Sequence, residues 1–363
     1  MLDLHAECPC RIIQGRGAMK SLPVETLTGG GMVVTTAGLM KRGQLEDLLH
    51  QLRESNLRYE VVFAESNPSL AGISEFQKKF SATAPGWCIA VGGGSALDSG
   101  KVLAAMLAEK NREKSLSEVL TGAVVQAHER IALWCIPTTS GTGAEVTPFA
   151  TIWDKEQQKK RSFAGSELTP DLIVLDPELT VTVPEEVTVN CALDACSHAM
   201  ESLWNKNATD QSADYANEAL RGFADALPRL LKDLRDVSAR ELMQLSSFWA
   251  GMAIRITRTA IAHSISYPVT LHLGVPHGLA CSFLLPRIAQ LVFGRNAWYS
   301  KADVSVIERV LEVLSEVDLP GRMGRYGSLE KIREFQNEMM TPGRGDNFVV
   351  SASPKDVIQE FLQ

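Results

Sequence analysis

Asp194 and His198 stand four residues apart in the run Leu193-Asp194-Ala195-Cys196-Ser197-His198-Ala199-Met200-Glu201. On a helix that spacing stacks the two side chains on one face. A second cluster begins at His263-Ser264-Ile265-Ser266-Tyr267-Pro268 and continues at Gly274-Val275-Pro276-His277-Gly278. Pro276 marks a helix start, with His277 just inside it. If the two segments face one another, one carboxylate and three imidazoles close around a divalent ion. Nitrogen donors with one oxygen suit zinc, ferrous iron, cobalt or nickel, and argue against calcium or magnesium. Taken singly, neither segment is diagnostic. An Asp and a His four apart on a helix are ordinarily a solvated pair or a cap, and a Pro-His-Gly turn is ordinary loop chemistry. Three of the seven histidines fall in these two segments, and only the pair of segments makes a metal the favoured reading.

Two polar loops suggest a second ligand. Trp87-Cys88-Ile89-Ala90-Val91 is apolar on both faces, as a central parallel strand should be, and it runs into Gly92-Gly93-Gly94-Ser95 with a helix expected from Ser95. Glycines let backbone N–H groups approach a phosphate, and the helix N-terminus adds a favourable dipole. The run is neither Gly-x-Gly-x-x-Gly nor a Walker loop, and a plain strand–helix turn is the commoner meaning. Its place at the C-terminal end of a central strand favours a ligand. The loop Thr138-Thr139-Ser140-Gly141-Thr142-Gly143-Ala144-Glu145 follows another strand end. Its hydroxyls suit phosphate, ribose or an amide, although such clusters are usually plain loops. Two such loops beside a metal helix make a nucleotide plus a metal the coherent picture.

The elements that must position these residues change character near Val183-Pro184. Before it, strands near 10–15, 32–36, 58–64, 87–91 and 131–136 alternate with helices near 44–54 and 70–80, which implies a parallel α/β sheet. After it, helical patterns cover 185–204, 210–234, 239–256, 304–316 and 329–339. The expected organisation is an α/β dinucleotide-binding domain over 1–183 and an all-helical metal-binding domain over 184–363. At 363 residues the chain exceeds one ordinary core. The end, Thr341 to Ser353, reads as a loop.

Composition excludes several partners. The net charge of −7 offers no basic surface for a nucleic-acid backbone. No apolar run reaches the roughly 20 residues that cross a bilayer, and the N-terminus lacks a basic start followed by an apolar run, so no signal peptide is expected. Seven scattered cysteines, odd in number and without a Cys-x-x-Cys, read as reduced thiols of a cytoplasmic protein. Cys196 and Cys281 read as packing.

These motifs together resemble the iron-containing (group III) alcohol dehydrogenases. The resemblance rests on Gly92 to Ser95 with Asp98 and Lys101, Pro137 to Thr142, Pro170 followed by Asp176-Pro177-Glu178-Leu179, Asp194 to Glu201, and His263 to Gly278. It implies a Rossmann-like domain, a helical domain in the dehydroquinate synthase-like arrangement, an active-site cleft between them, and commonly a homodimer. It also implies a metal held by Asp194, His198, His263 and His277, ferrous iron by family habit with zinc as the other candidate. All four positions are filled, which argues against the metal-free maleylacetate reductases. For the cofactor, NAD or NADP, it implies Asn67 on the adenosine side, Gly93, Gly94 and Ser95 with Asp98 at the pyrophosphate, Thr138, Thr139 and Thr142 as a second clamp, and Lys160 at the nicotinamide ribose.

Two departures from the family carry meaning. Thr36 stands where NAD-preferring members often close the strand with an Asp, so a 2′-phosphate is not repelled and NADPH is admitted. Tyr267 stands where many members carry another His near the nicotinamide, so a tyrosine or a water chain takes over the proton path, or Tyr267 shapes the pocket. The run Thr257 to Pro268 resembles the phosphonate-metabolism branch, similar to phosphonoacetaldehyde reductases. Arg258, five residues before a ligand, and Arg255 are the candidate readers of an anionic group; surface salt-bridge roles are the ordinary alternative. The expected substrate is a short anionic aldehyde. The alternatives are a general short-chain alcohol or lactaldehyde dehydrogenase and, remotely, a dehydroquinate synthase-like lyase.

Overall fold

The computed structural model describes residues 2–109, 111–116, 118, 130–157, 159–340 and 343–350. The chain divides into two compact units. One takes Asp3–Thr139 and Ala144–Thr180, and the other takes Ser140–Gly143 and the chain from Val181 onward.

The first unit is built on strands β1 (Arg11–Gln14), β2 (Gly30–Thr35), β3 (Arg58–Phe63), β4 (Trp87–Gly92), β5 (Ala132–Pro137) and β8 (Leu172–Leu175). They form one sheet in the order β1-β8-β5-β4-β2-β3, and every neighbouring pair is parallel. Between β5 and β8 the chain makes a separate antiparallel hairpin, β6 (Phe149–Asp154) with β7 (Lys159–Ala164). The helices concerned are α1 (Glu46–Glu54), α2 (Leu70–Ser81) and α3 (Gly94–Met106).

Successive strand residues point to opposite faces, and both faces are covered. Met32, Val34, Cys88, Ala90 and Leu133 pack with Ile73 and Phe80 of α2 and Leu97 and Leu103 of α3. Val33, Ile89, Val91, Trp134 and Ile136 pack with Leu48 and Leu52 of α1. This double cover is why β4 reads as an unbroken apolar run. The chain therefore leaves β2 for a helix on one face and β4 for a helix on the other. Because β2 and β4 are neighbours, a crevice opens at their C-terminal ends. Thr36 and Gly92 stand there: a Cβ placed on Gly92, whose φ is +155°, would lie 4.0 Å from Thr36 Cγ2.

Three strands escape the pattern reading above. β6 reads Phe-Ala-Thr-Ile-Trp-Asp and β7 Lys-Lys-Arg-Ser-Phe-Ala, neither with an apolar–polar alternation, and β8 is only four residues long. The helix expected over 329–339 is also shorter. It stops at Arg333, and a 3-10 turn follows at Gln336–Glu338. Phe335 leaves helical geometry between them and lies against the His272 ring, centroids 4.8 Å apart.

The second unit is helical: α4 (Glu185–Leu203), α5 (Asp210–Lys232), α6 (Val237–Thr257), α7 (Ile261–Leu273), α8 (His277–Ser282), α9 (Leu285–Gly294) and α10 (Val304–Glu316). Side-chain caps start three of them. Thr209 accepts from Ser212 N, Asp236 from Ala239 N and Asp303 from Val306 N. α4 is buried all round from Ala192 to Leu203, so its polar residues face partners rather than water. Gly274, at φ +67°, ends α7, and Pro276 opens α8. The segment Ser140–Gly143 packs with these helices. A Cβ on Gly141 would stand 2.7 Å from Cys191 Cα, and one on Gly143 2.5 Å from Gly251 Cα. Among the described residues no helix is long and apolar enough to cross a membrane.

Beneath the glycine loop the first unit keeps a buried polar knot. Lys101 is fully buried, and its ammonium donates to the carbonyls of Thr147 and Phe149, 2.7 Å each. Asp98 accepts from Thr151 N at 2.8 Å. Together they tie the β6–β7 hairpin to α3. Glu145 is buried nearby, and burial pushes its carboxyl up to about 7 against the opposing pull of its own backbone N–H and of Lys101. The folded chain thus holds this proton more tightly than the unfolded chain, whose value is 4.5, and stability falls as pH rises through that window. Glu145→Gln is expected to raise the melting temperature at pH 8, by up to about 3 kcal/mol of stability, and to leave it near wild type at pH 5. Thermal melts at the two pH values check this, and a variant destabilised equally at both would refute it.

Candidate metal centre

α4 presents Asp194, His198 and Glu201 along one stripe, spaced four and then three residues. His263 is the third residue of α7 and His277 the first of α8. Gly278 lets α8 begin so close to α4. A Cβ there would stand 1.8 Å from Asn190 O, a contact no side chain can make.

The three imidazoles converge on one oxygen. Nε2 of His263, His198 and His277 lie 3.5, 3.6 and 3.8 Å from Asp194 Oδ1. Asp194 Oδ1 and His263 Nε2 are buried and have no hydrogen-bond partner. Leaving such atoms unpaired is costly. Two donors each about 2.1 Å from a shared tetrahedral ion stand about 3.4 Å apart, which is the spacing found here. The donor set therefore fits a divalent cation of the borderline kind, ferrous iron or zinc. The rings of His198 and His263 are stacked, centroids 4.7 Å apart.

Glu201 organises the centre without facing it. Its side chain is fully buried. Oε2 meets His263 Nδ1 at 2.6 Å, while Oε1 accepts from the backbone N–H groups of Ala262 and His263 at 2.6 and 3.2 Å. One carboxylate thus starts α7 and turns His263 so that Nε2 points at Asp194, the carboxylate–histidine arrangement that supports metal ligands.

The electrostatics call for positive charge. Burial works against ionising Asp194, but His198, His263 and His277 outweigh it and hold its carboxyl well below the usual range. Burial pushes His198 down to about 4, keeping it neutral and able to ligate. Burial also opposes charge on His263, yet Cys281, Glu201 and Asp194 overcome it and draw a proton to that ring. A bound cation would supply the same charge and release that proton.

The centre is closed on one side and open on the other. Asp194, His198 and His263 are buried, whereas the His277 side chain is 36% exposed. Catalytic metal sites keep such an open position. Tyr267 lies on that side, its ring parallel to His277 within 4° and centroids 6.5 Å apart. Cys281, expected as packing, is buried, but its Sγ lies 3.7 Å from both ring nitrogens of His277 and forms a donor group with Asp194, His263 and His277.

Arg255 is half-buried in the last turn of α6, and Arg258 is exposed beyond that helix. Arg258 adopts φ 61°, ψ 179°, a region almost reserved for glycine. Its carbonyl accepts from Thr257 Oγ1 and Asn205 Nδ2 at 2.8 and 3.2 Å.

In the sheet unit, Thr36, Gly93, Gly94, Ser95, Thr138 and Thr139 stand at the C-terminal ends of β2, β4 and β5, while Asn67 follows β3, Asp98 lies in α3 and Lys160 in β7. Gly93 caps α3, and a Cβ on it would stand 3.0 Å from Thr139 Oγ1. Gly94 is the first residue of α3. Ser95 donates its hydroxyl to the carbonyl of Ser66, beside the exposed Asn67. Thr138 is buried and donates its N–H to Gly92 O at 3.0 Å. Thr36 caps a short helical turn by accepting from Leu39 N at 3.4 Å. Lys160 lies over the Trp153 ring at 5.0 Å, and the Asp98 carboxylate is engaged by the hairpin. Thr142 is half-buried within Ser140–Gly143 and belongs to the helical unit.

Residues 9–177 match the iron-containing alcohol dehydrogenase family, and residues 188–341 match the C-terminal part of the Fe-containing alcohol dehydrogenase family. The phosphonoacetaldehyde reductase of Streptomyces viridochromogenes is 35% identical over 206 residues, 55% of this chain and 51% of that protein. The probable alcohol dehydrogenase EutG of Escherichia coli is 34% identical over 251 residues, 66% of this chain and 62% of that protein. The matches thus span about half to three-fifths of these two relatives. The crystal structure of a sulfoacetaldehyde reductase from Bifidobacterium kashiwanohense, in complex with NAD+, superposes with a TM-score of 0.82 over 98% of this chain and 96% of that one, at 24% identity, a likeness of fold.

Glu201→Gln keeps the shape of the side chain but removes the charge that holds His263. Metal affinity is expected to fall about 10–100-fold, measured by competition with a chelator. Unchanged affinity would mean that His263 is oriented by packing alone.

Proposed function

The chain belongs to the iron-containing alcohol dehydrogenase family, and on that premise we propose that it is a metal-dependent, NAD(P)-linked reductase of short anionic aldehydes, phosphonoacetaldehyde first. The observation that carries the reading is the convergence of His198, His263 and His277 on Asp194, with the exposed side at His277. Asp194, His198, His263 and His277 would hold a divalent ion, which would supply Lewis acidity toward a carbonyl, and a bound nicotinamide would supply the hydride.

The chain's own residues do the rest. Asp194, His198, His263 and His277 hold the ion, and Glu201 fixes the His263 tautomer. Gly93, Gly94 and Ser95 cradle the pyrophosphate where α3 begins, with Thr139 against Gly93 and Asn67 beside Ser95. Thr36 leaves room for a 2′-phosphate, so either NAD or NADP is accepted. Lys160 and Thr142 complete the cofactor contacts. The Tyr267 phenol, beside His277, is the group assigned to the proton path in place of the family's usual His.

The anionic substrate is supported by a 35% identical relative named a phosphonoacetaldehyde reductase and by a similar fold named a sulfoacetaldehyde reductase. Both names describe a two-carbon aldehyde with an acidic group. Arg258, strained at its backbone and pinned by Thr257 and Asn205, is the residue assigned to that group, with Arg255 next to it. A homodimer in the cytoplasm completes the reading, and seven cysteines outside any disulfide suit a reducing compartment. The exposure of Arg258 favours a second reading, a general short-chain alcohol or lactaldehyde dehydrogenase.

Oxidation of NADPH and NADH with phosphonoacetaldehyde, propanal and lactaldehyde separates the readings in enzyme loaded with ferrous iron or zinc. A lower KM for the phosphonate is expected, and Arg258→Ala should raise that KM about tenfold or more while changing propanal little. Similar behaviour of neutral and anionic aldehydes would return the chain to the general dehydrogenases. Absence of net NAD(P)H turnover would favour a lyase that recycles its cofactor.

A further inference from the structure

The segment 343–350 brings a second guanidinium to the open side of the centre. The Arg344 guanidinium carbon lies 4.7 Å from the centre of the Tyr267 ring, within the range of a cation–π contact. Tyr267 in turn lies parallel to His277, the one donor of the four that is only half-buried. Arg344 therefore sits one aromatic ring away from the side on which a substrate must enter.

The segment is fastened where Arg258 is fastened. Asn347 donates from Nδ2 to Thr259 O at 2.9 Å, and its backbone carbonyl accepts from Lys206 N at 2.8 Å. Val349 N donates to Trp204 O at 3.0 Å. Asn205, in the same turn after α4, holds the carbonyl of Arg258. The segment lies against α7 at Gly345, where an added Cβ would stand 3.3 Å from Ser264 Oγ. One turn, Trp204 to Asn207, thus holds both the backbone at Arg258 and the segment that carries Arg344.

We propose that Arg344 and Arg258 form a two-guanidinium clamp for the anionic group of the aldehyde, with the Tyr267 ring as the platform under Arg344. This rests on reading the chain as an anionic-aldehyde reductase and adds the residue that sets its specificity. Guanidiniums match phosphonate and sulfonate oxygens in pairs of parallel hydrogen bonds. Burial pushes the Arg344 guanidinium below its ordinary range, Glu201 opposes this, and the charge of Arg258 adds to it. A bound dianion offsets both the cost of the buried charge and the repulsion. In a two-carbon substrate the carbonyl and the acidic group are a single methylene apart, which matches a cation held one ring away from an open ligand position.

The test uses the metal-loaded enzyme and its Arg344→Ala and Arg344→Lys variants. Steady-state KM and kcat are measured for phosphonoacetaldehyde and propanal, and calorimetry measures binding of ethylphosphonate, which cannot turn over. Arg344→Ala is expected to raise KM for the phosphonate and the ethylphosphonate Kd by about 10–100-fold, with propanal changed less than about twofold. Arg344→Lys should recover only part of the affinity, because a lysine lacks the planar fork. Equal losses with both aldehydes would mean that Arg344 only staples the segment to Tyr267, and would overturn the clamp alone. A wild type that handles propanal as well as the phosphonate would overturn the anionic-aldehyde reading and the clamp together.

Discussion

The Glu201 carboxylate is the contact on which the metal centre depends. It is wholly buried, in a position that would be prohibitive without compensation. Two backbone N–H groups and an imidazole supply that compensation. The same three bonds begin α7 and fix the orientation of His263. The centre is thus tied to secondary structure: α7 cannot start in this way unless Glu201 faces it, and His263 cannot face Asp194 unless α7 starts there. Asp194, with one oxygen left unpaired among three imidazoles, is the complementary half, a site whose polar groups are fully satisfied only by a cation.

The sheet unit solves a similar problem by different means. Its glycine loop needs backbone free of side chains at the end of β4, and α3 must start immediately after it. The loop keeps its shape because α3 is pinned from below. Lys101 and Asp98 use their charges on the carbonyls of Thr147 and Phe149 and on the N–H of Thr151, holding the hairpin against the helix. These two residues belong to the same sequence motif as the glycines, yet their bonds are structural. A motif can therefore mix groups that meet a ligand with groups that hold the loop in place.

Tyr267 of α7 lies beside His277, and Arg344, from the segment beyond residue 342, lies over the Tyr267 ring. The turn after α4 holds both the backbone of that segment and the carbonyl of Arg258, the strained residue after α6. The side on which His277 is least buried is therefore bordered by chain far in sequence from the donors, which come from α4, α7 and α8.

Periodicity was enough for five of the strands before Val183 with the helices between them, and for the four helices α4, α5, α6 and α10 after it, because each depends on residues near in sequence; α7 and α9 did not show in it. Glu201 was also within reach of that logic: it shares the stripe of Asp194 and His198, and its position on that stripe is a signal a helical wheel carries. The β6–β7 hairpin was not, since β7 opens with four polar or charged residues in a row and β6 shows no period of two, nor was β8, whose four residues are too few to show a period. Only the tertiary structure decided that Phe335 breaks a helix to meet His272, that Arg258 leaves α6 with a positive φ, and that Arg344 lies over Tyr267. The last contact joins residues 77 positions apart, and no local pattern encodes a pairing made by packing a distant segment onto α7. The sequence determined which groups could bind a metal and a nucleotide. The fold determined which side of the metal stays open and which charges stand there, because openness and proximity are properties of packing rather than of spacing along the chain.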